Sequence, residues 1–446
     1  MNKIWFLFFI ATAAFSFAQD PEVVTLKTLI KSRLLHSPEL ENLSKQQEIE
    51  RLKKQQEWTD LKPQIKLNSS YYYYFFDVPE YIFNADQASI LSFQSSTDQL
   101  GVPVGTDFNF TANVQFSQRI FDTRLLRSKE LLEKGSDLQL LFMEEKKTEE
   151  IHKISKDYIH YLSLSQNEKS IQFNKGRLNK LYAIVLKRIE LGMAGDIDSA
   201  RLAKAIKLLE LDERKLANGK KMLKTSLIAY SEIDTNLPFD TTHLYSTFLP
   251  AENDGPEVSK SDRKKLLEAS IELYDYQSKH AHTLNPKLDF FGDLFWRSQS
   301  ANANIIRDGF WNNASLLGLK LNFPIYSGGK NSLQRQQLFL QKEISQNSLT
   351  QLIEGEKQLN EKLTEEISYA KKKLNLELEW QVALRKQLLI AKTEWEQGVS
   401  SIKDLLEAEE ELLSSEQVVV QLLAEIRLKE LEYLKTTGQL RVILNE

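Results

Sequence analysis

The sequence predicts a mainly α-helical chain with a small transmembrane β part, arranged as two structural repeats. Two long stretches, residues 104–237 and 325–446, contain no proline, the residue that breaks helix interiors. Within them apolar residues recur at spacings of three and four, which is typical of helices packed along one seam. Before each long helix the apolar period changes to two, the spacing of a strand with one apolar and one polar face.

The first residues have the pattern of a secretory signal peptide. Lys3 supplies a positive charge, residues 4–17 are apolar, and Ser16-Phe17-Ala18 forms a small-x-small cleavage site. A buried N-terminal helix or a membrane anchor is the alternative, although the apolar run is too short to span a bilayer. We therefore expect a signal peptide over residues 1–18 and a chain that leaves the cytoplasm. Because no later run is long and apolar enough, entry into a membrane would have to occur as strands.

Composition excludes several kinds of chemistry. The chain of 446 residues has no cysteine, which rules out disulfides, thiolate metal sites, a catalytic thiol and a lipidated N-terminal cysteine. Its net charge of −4 gives no reason to expect nucleic acid as a partner. No nucleophile elbow or ordered Ser/His/Asp set stands out, so we expect no enzyme activity and no cofactor.

The predicted helices are long. One helix over residues 123–191 would extend about 100 Å at 1.5 Å per residue. Its return helix, residues 198–230, covers half of that length, and an N-terminal helix over residues 24–58 could cover the rest. Residues 261–282 and 402–434 repeat the arrangement in the second half. Such rods suit the wall of a tube better than a globular domain.

Four stretches of about ten residues alternate between apolar and polar side chains, as strands of an outer-membrane barrel do. They begin at Ile65, Phe108, Leu288 and Leu317, and polar loops over residues 77–106 and 298–309 join them in pairs. Four strands cannot close a barrel, since the smallest has about eight. We therefore expect oligomerisation to complete a barrel of twelve strands. A small soluble sheet packed on helices is the alternative.

The two halves of the chain keep a common register. Ile120-Phe121 matches Ile325-Tyr326 at an offset of 205 residues, and Ile197 matches Ile402 at the same offset. Because the strand end and the helix turn share one offset, the two long helices should have nearly equal lengths. We predict a first repeat over residues 19–231, a polar linker over 232–260 and a second repeat over 261–446.

Two local motifs carry a resemblance to a known protein family. The family's strand-to-helix junction resembles Phe323-Pro324-Ile325-Tyr326-Ser327-Gly328-Gly329-Lys330. Its periplasmic helix turn resembles Gly398 with the following Ile402-Lys403-Asp404-Leu405-Leu406-Glu407-Ala408. In the first half, Arg119-Ile120-Phe121-Asp122 lacks the proline that is usual at the junction. The family that these motifs resemble is the TolC-like outer membrane efflux proteins, and the resemblance covers nearly the whole mature chain.

The resemblance implies a homotrimer with a strand barrel in the outer membrane and a helical barrel that extends through the periplasm. Such a trimer would be the exit duct of a tripartite efflux or type I secretion system. It would pass substrates from an inner-membrane pump through a periplasmic adaptor, and the strands alone would anchor it in outer-membrane lipid. A periplasmic adaptor with long helical hairpins is the alternative, although the Gly-rich lipoyl-like motifs of an adaptor are missing.

The free tips of such a tube are the candidate docking sites for the adaptor. Residues 191–198 and 397–402 hold the two helix turns, each with a glycine that ends one helix and a polar turn that starts the next. The predicted docking residues are Gly192, Asp196, Asp198, Gly398, Ser401 and Ile402. Helix capping alone is the alternative explanation for these residues.

A pore gate is predicted at Asp404 and Glu407. They lie one helical turn apart and so share a helix face. The resemblance places them where the family narrows its tunnel entrance with acidic side chains, and in a trimer each would form a ring of three carboxylates that favours cations. The alternative, compatible with a gate, is a capping box in which Ser401 is the N-cap and Asp404 stabilises the helix start.

Two further motifs are weaker. Gly328-Gly329-Lys330 lacks the upstream glycine and the following Ser/Thr of a phosphate-binding loop, and we interpret it as a turn. His280 and His282 could bind a metal if extended, but no third ligand is fixed nearby, which favours surface histidines. We therefore predict no metal site.

Overall fold

The computed structural model describes residues 23–78, 80–84, 99–103, 106–234, 236–241, 261–281 and 285–444. The predicted signal peptide, most of the predicted linker and His282 lie outside these ranges. The predictions made for them therefore stay predictions.

The described chain is mainly α-helical with two antiparallel sheets, which confirms the predicted fold class. The helices are α1 (Leu26–His36), α2 (Pro38–Thr59), α3 (Thr123–Glu190), α4 (Asp196–Ile228), α5 (Asp262–His280), α6 (Ile305–Asp308), α7 (Lys330–Glu396) and α8 (Ile402–Thr436). The strands are β1 (Gln64–Tyr73), β2 (Glu80–Asn84), β3 (Gln99–Pro103), β4 (Phe108–Asp122), β5 (Lys287–Ser300) and β6 (Phe310–Asn322). A 3₁₀ helix, Leu440–Leu444, follows α8.

The two proline-free stretches hold the long helices. Helix α3 has 68 residues and α7 has 67, which agrees with the equal lengths expected from the common register. Residues of the predicted α3 seam, among them Ile151, Tyr158 and Leu178, are buried. In α7, Leu363 and Ile367 are buried in the same way. The spacings of three and four therefore identified the packed faces correctly.

Three local predictions were wrong. The N-terminal helix is interrupted at Ser37, because Pro38 disfavours helical backbone in the residue before it, and α1 ends at His36. The loop over residues 77–106 contains the β2–β3 hairpin, and the one over residues 298–309 contains the short helix α6. In these two loop segments, the apolar residues are too few and too irregularly spaced to predict a strand or a helix.

The larger sheet has the strand order β1-β4-β5-β6 with every neighbouring pair antiparallel. Its register confirms the predicted faces: Leu67, Val114 and Leu294 are cross-strand partners on one face. Strands β1 and β6 each have one neighbour, so both edges of the sheet are open. Along β1 every residue is exposed, and so is nearly every residue of β6.

The apolar face of this sheet is uncovered. Ile65 and Leu67 in β1 are each 72% exposed, and Leu317 in β6 is 77% exposed. A soluble protein rarely exposes contiguous apolar surface of this kind, so the face indicates contact with an apolar medium. A small soluble sheet packed on helices would bury these side chains.

The described residues divide into two compact units. The first comprises the described parts of residues 1–45, 139–268 and 346–446, and the second those of 46–138 and 269–345. In the first unit, α1, α3, α8 and the 3₁₀ helix share a core that includes Leu29, Ile30, Tyr158 and Leu434. Burial of each leucine or isoleucine side chain in this core contributes about 1.5–3 kcal/mol. No helix in the described part of the chain is long and apolar enough to cross a membrane.

Candidate functional site

The two predicted tips are turns with the same backbone design. After α3, the amide of Gly192 donates to the carbonyl of Ile189 (2.9 Å) and that of Met193 donates to Arg188 (2.7 Å). After α7, Gly398 donates to Trp395 (3.0 Å), and the next amide donates to the carbonyl of Glu394 (2.8 Å). These bonds satisfy the last carbonyls of each helix as in a Schellman motif.

Both turns require glycine because of their backbone conformation, and not because a side chain would clash with a neighbour. Gly192 has φ +73° and Gly398 has φ +77°, the left-handed region that other residues enter only at a cost. A Cβ atom at either position would meet nothing within 4 Å. Gly195, which precedes α4, has an ordinary extended backbone with φ −97°.

Arg188 joins the two turns, and sequence reasoning did not identify it. Its guanidinium donates to the backbone carbonyls of Trp395 (3.1 Å) and Glu396 (2.9 Å) at the end of α7, and the Trp395 carbonyl also accepts from the Gly398 amide. It also lies over the Trp395 ring, 4.1 Å from the ring centroid, in cation–π geometry. Arg188 therefore caps the end of the other hairpin's long helix and fixes the position of one tip relative to the other.

A compact apolar core supports the tips from below. Ile402, the first residue of α8, is only 2% exposed and packs in this core, so its side chain is structural. The other buried members of the core are Leu178, Val185, Leu202, Ile206, Trp395 and Leu405. The core draws on α3, α4, α7 and α8, which gives the turns a rigid base.

Ser401 and Asp404 form the capping box that was one of the two alternatives for this site. The Asp404 amide donates to the Ser401 hydroxyl (3.4 Å), and the amide and hydroxyl of Ser401 donate to the Asp404 carboxylate (3.0 and 2.8 Å). Bonds from the Ser401 hydroxyl, and then from its amide, hold the pKa of Asp404 below its ordinary value. The stabilisation is thus complete above the ordinary aspartate pKa and is lost as the pH falls through the lowered one.

Of the remaining predicted site residues, Glu407 and Asp196 are exposed, whereas Asp198 is half-buried. Glu407 lies 3.4 Å from Lys403 across one helical turn, and Asp198 lies 3.7 Å from Arg201. Asp196 and Asp198 occupy the first turn of α4, where carboxylates favour the positive end of the helix dipole. Asp404 and Glu407 point away from the buried face of α8, which leaves both carboxylates open to solvent.

The tips also carry apolar side chains that the polar pattern of the predicted site left out. Leu191 and Met193 are each 72% exposed, and Val399 is 75% exposed. Ile197, at the start of α4, is 61% exposed. Apolar residues in a short, otherwise polar turn are a sequence signal of a contact surface, and they could have been noted on that ground.

The capping box leads to a stability prediction. Ser401→Ala should lower the free energy of unfolding by about 0.5–2 kcal/mol, because the Asp404 amide loses its acceptor at the start of α8. Denaturant titration of the purified protein measures the change. Ser400→Ala is the matched control, since the Ser400 hydroxyl makes only a long bond of 3.5 Å to the carbonyl of Ala391. Equal effects of the two substitutions would show that the capping box contributes nothing specific.

The two histidines considered as metal ligands are His280 and His282. No group of three or more potential ligands comes together among the described residues, and the ring of His280 packs against Tyr276, with centroids 4.4 Å apart. His282 lies outside the described ranges.

The whole described fold is similar to solved outer membrane channels, whereas no protein-family model and no curated protein matches the chain. Crystal structures of CusC match at a TM-score of 0.68 and 15% identity, over 95% of each chain. The outer membrane protein VceC of Vibrio cholerae matches at a TM-score of 0.62 and 16% identity, over 93% of this chain and 96% of VceC. The open-state MtrE outer membrane channel of Neisseria gonorrhoeae matches at a TM-score of 0.67 and 16% identity, over 93% of this chain and 89% of MtrE. The chain therefore has the fold of the TolC-like outer membrane channels.

Proposed function

We propose that three copies of this chain form a channel in the outer membrane, the exit duct of a tripartite efflux or type I secretion system. The observation that carries the proposal is the four-stranded sheet with two open edges and an exposed apolar face. In lipid an unpaired strand edge costs several kcal/mol per group, so such a sheet must close. Three sheets of four strands give twelve, within the range of known barrels.

The direction of the strands supports closure by identical copies. Because the four strands alternate in direction, β6 of one copy can pair with β1 of the next as another antiparallel neighbour. The seam is then the same at every junction, which is the requirement for a closed ring. The solved channels with this fold add support, since MtrE and CmeC are described as outer membrane channels.

The helical tips supply the proposed docking surface for a periplasmic adaptor, through which an inner-membrane pump would deliver substrate. Both turns are held rigid by the Arg188 contacts and the core below them. Exposed apolar side chains surrounded by polar ones are typical of protein interfaces, and Leu191, Met193 and Val399 fit that description. No catalytic role is part of this proposal.

Detergent extraction tests the assembly. The protein should fractionate with the outer membrane and, in gentle detergent, have a native mass three times that of the single chain, which is 51.6 kDa before processing. A stable monomer whose β-sheet spectrum is intact would contradict the proposal, because its strand edges would then be satisfied without partners.

We also propose a gate at Asp404 and Glu407, which rests on the same trimeric assembly. Each carboxylate would recur three times around the axis, and rings of acidic side chains favour cations. Asp404→Ala with Glu407→Ala should therefore weaken cation selectivity and divalent-ion block in planar bilayers. Ser401→Ala, which removes the cap and keeps both carboxylates, is the control. A double variant that selects like the unmodified channel would reject the gate.

A further inference from the structure

The charged residues of the larger sheet all lie on one face. Cross-strand partners point to the same side, and the register places every charged side chain of β1, β4, β5 and β6 opposite the apolar face. These residues are Lys66, Arg119, Asp122, Lys287, Asp289, Asp293, Arg297 and Lys320. Five are basic and three are acidic, so the charged face has a net charge of +2 per chain.

The three carboxylates of this face are already engaged. The Asp122 side chain is fully buried, 3.3 Å from Arg119, and Asp289 accepts from the same guanidinium at 3.1 Å. Asp293 accepts hydrogen bonds from the amides of Asn113 (3.0 Å) and Gln115 (3.2 Å). Arg119 thus offsets the charge of Asp122 and Asp289, whereas Asp293 has only neutral partners and keeps its negative charge, which the net charge of +2 includes.

Three of the cations are free to act on the solvent. Lys66, Arg297 and Lys320 are exposed, and none has a carboxylate within ion-pair distance among the described residues. Lys66 faces Gln115 across the strands, and Arg297 lies between Thr111 and Asn312. Lys320 lies opposite Asp289, whose carboxylate accepts from Arg119 and forms no ion pair with Lys320. Two of these cations lie on the edge strands and the third on a central strand.

Closure of the barrel would not supply the missing carboxylates. The edge strands that meet at each seam are β1 and β6, and their only charged residues are Lys66 and Lys320. A trimer built as proposed above would therefore carry nine unpaired cations on its inner wall. Rings of Lys and Arg attract anions, and a pore with low-dielectric walls focuses their field.

We propose that the strand barrel is an electropositive segment of the pore that favours anionic solutes at the outer-membrane step, in series with the acidic gate proposed at the tips. This inference rests on the proposed trimeric channel. Charges on a wide pore are screened beyond about 8 Å at physiological salt. The preference should therefore be a few-fold in permeability, strongest at low ionic strength and weak at 1 M salt.

The test is the reversal potential of the channel in planar bilayers under a KCl gradient. The parent is D404A/E407A, so that the tip carboxylates do not set the selectivity. It should prefer chloride, and K66Q/R297Q/K320Q added to it should reduce the chloride-to-potassium permeability ratio at least two-fold. The matched control K45Q/K207Q/K215Q removes as many charges from exposed helix lysines, each of which is paired with an acidic residue. It should leave the ratio within experimental error.

The outcomes separate the two proposals. A conducting parent that prefers potassium, or a ratio unchanged by the strand substitutions, would overturn the electropositive pore and leave the channel standing. An unmodified chain that forms no pore would reject the channel, and the inference with it. If only the D404A/E407A parent forms no pore, the strand substitutions are compared in the unmodified chain, where an unchanged ratio would reject the inference. If the triple variant does not assemble, K66Q alone decides, because Lys66 forms no described ion pair and its loss leaves no buried partner. An unchanged ratio in K66Q would then reject the inference.

Discussion

Leu317→Arg is expected to prevent stable insertion of the protein into the outer membrane. Leu317 lies near the middle of β6 on the exposed apolar face. An arginine at the lipid-facing midplane of a barrel costs about 2–4 kcal/mol, and a trimer incurs this cost three times. Heat-modifiability on gels and outer-membrane fractionation should both show loss of the assembled form.

The neighbouring residue provides a matched control. Leu316 has the same side chain in the same strand, but it points to the charged face, where its cross-strand partner is Asp293. Leu316→Arg should therefore be tolerated, since the new guanidinium would face water and a carboxylate. If both variants insert equally well, or if Leu316→Arg is the worse one, the assignment of the two faces is wrong.

Loss of export is expected when the apolar side chains of the tips become charged. Leu191→Asp, Met193→Asp and Val399→Asp together should abolish docking, because each would place an unpaired charge in an apolar contact. Substitution of Gly192 or Gly398 tests docking less cleanly, since their positive φ means that any other residue also strains the turn. The three apolar side chains are exposed, so their replacement leaves the fold intact.

The measurement is complementation of a deletion strain's export defect, together with the trimer yield in the membrane. The triple variant should assemble normally and fail to complement. Met222→Asp is the control, because Met222 is 68% exposed on α4 and lies well away from the turn in sequence. Normal complementation by the triple variant would contradict the proposed docking at the tips.

Features that depend on neighbouring residues could be predicted from the sequence, whereas contacts between distant segments could not. The alternation in β4 and β5 fixed the two faces because side-chain direction depends only on the strand period. The Ser401–Asp404 capping box could be foreseen, because both partners lie within one helical turn. Arg188 could not, since the carbonyls it caps lie more than 200 residues away, at the end of another helix.

Two misjudged elements show where local patterns fail. The break before Pro38 was hidden because the helical apolar spacing continues on both sides of Ser37, although a proline at this point does stop the first helix. The β2–β3 hairpin has strands of only five residues, too short for a period of two to stand out in a polar loop. Neither the break at Ser37 nor the β2–β3 hairpin changes the order of the long helices and the four main strands.

Disulfide trapping across the seam tests the trimeric barrel most directly. The chain has no cysteine, so introduced pairs report on a clean background. Ser315→Cys in β6 would be combined in turn with Leu67→Cys, Ser69→Cys and Tyr71→Cys in β1, all on one face and two residues apart, to scan the register. Because disulfides need Cα atoms within about 7 Å, only a paired seam can form them. Closure by three copies predicts a ladder on denaturing gels of one, two and three linked chains and nothing larger. A ladder that ends at two or continues past three, or no cross-link at any register, would contradict it.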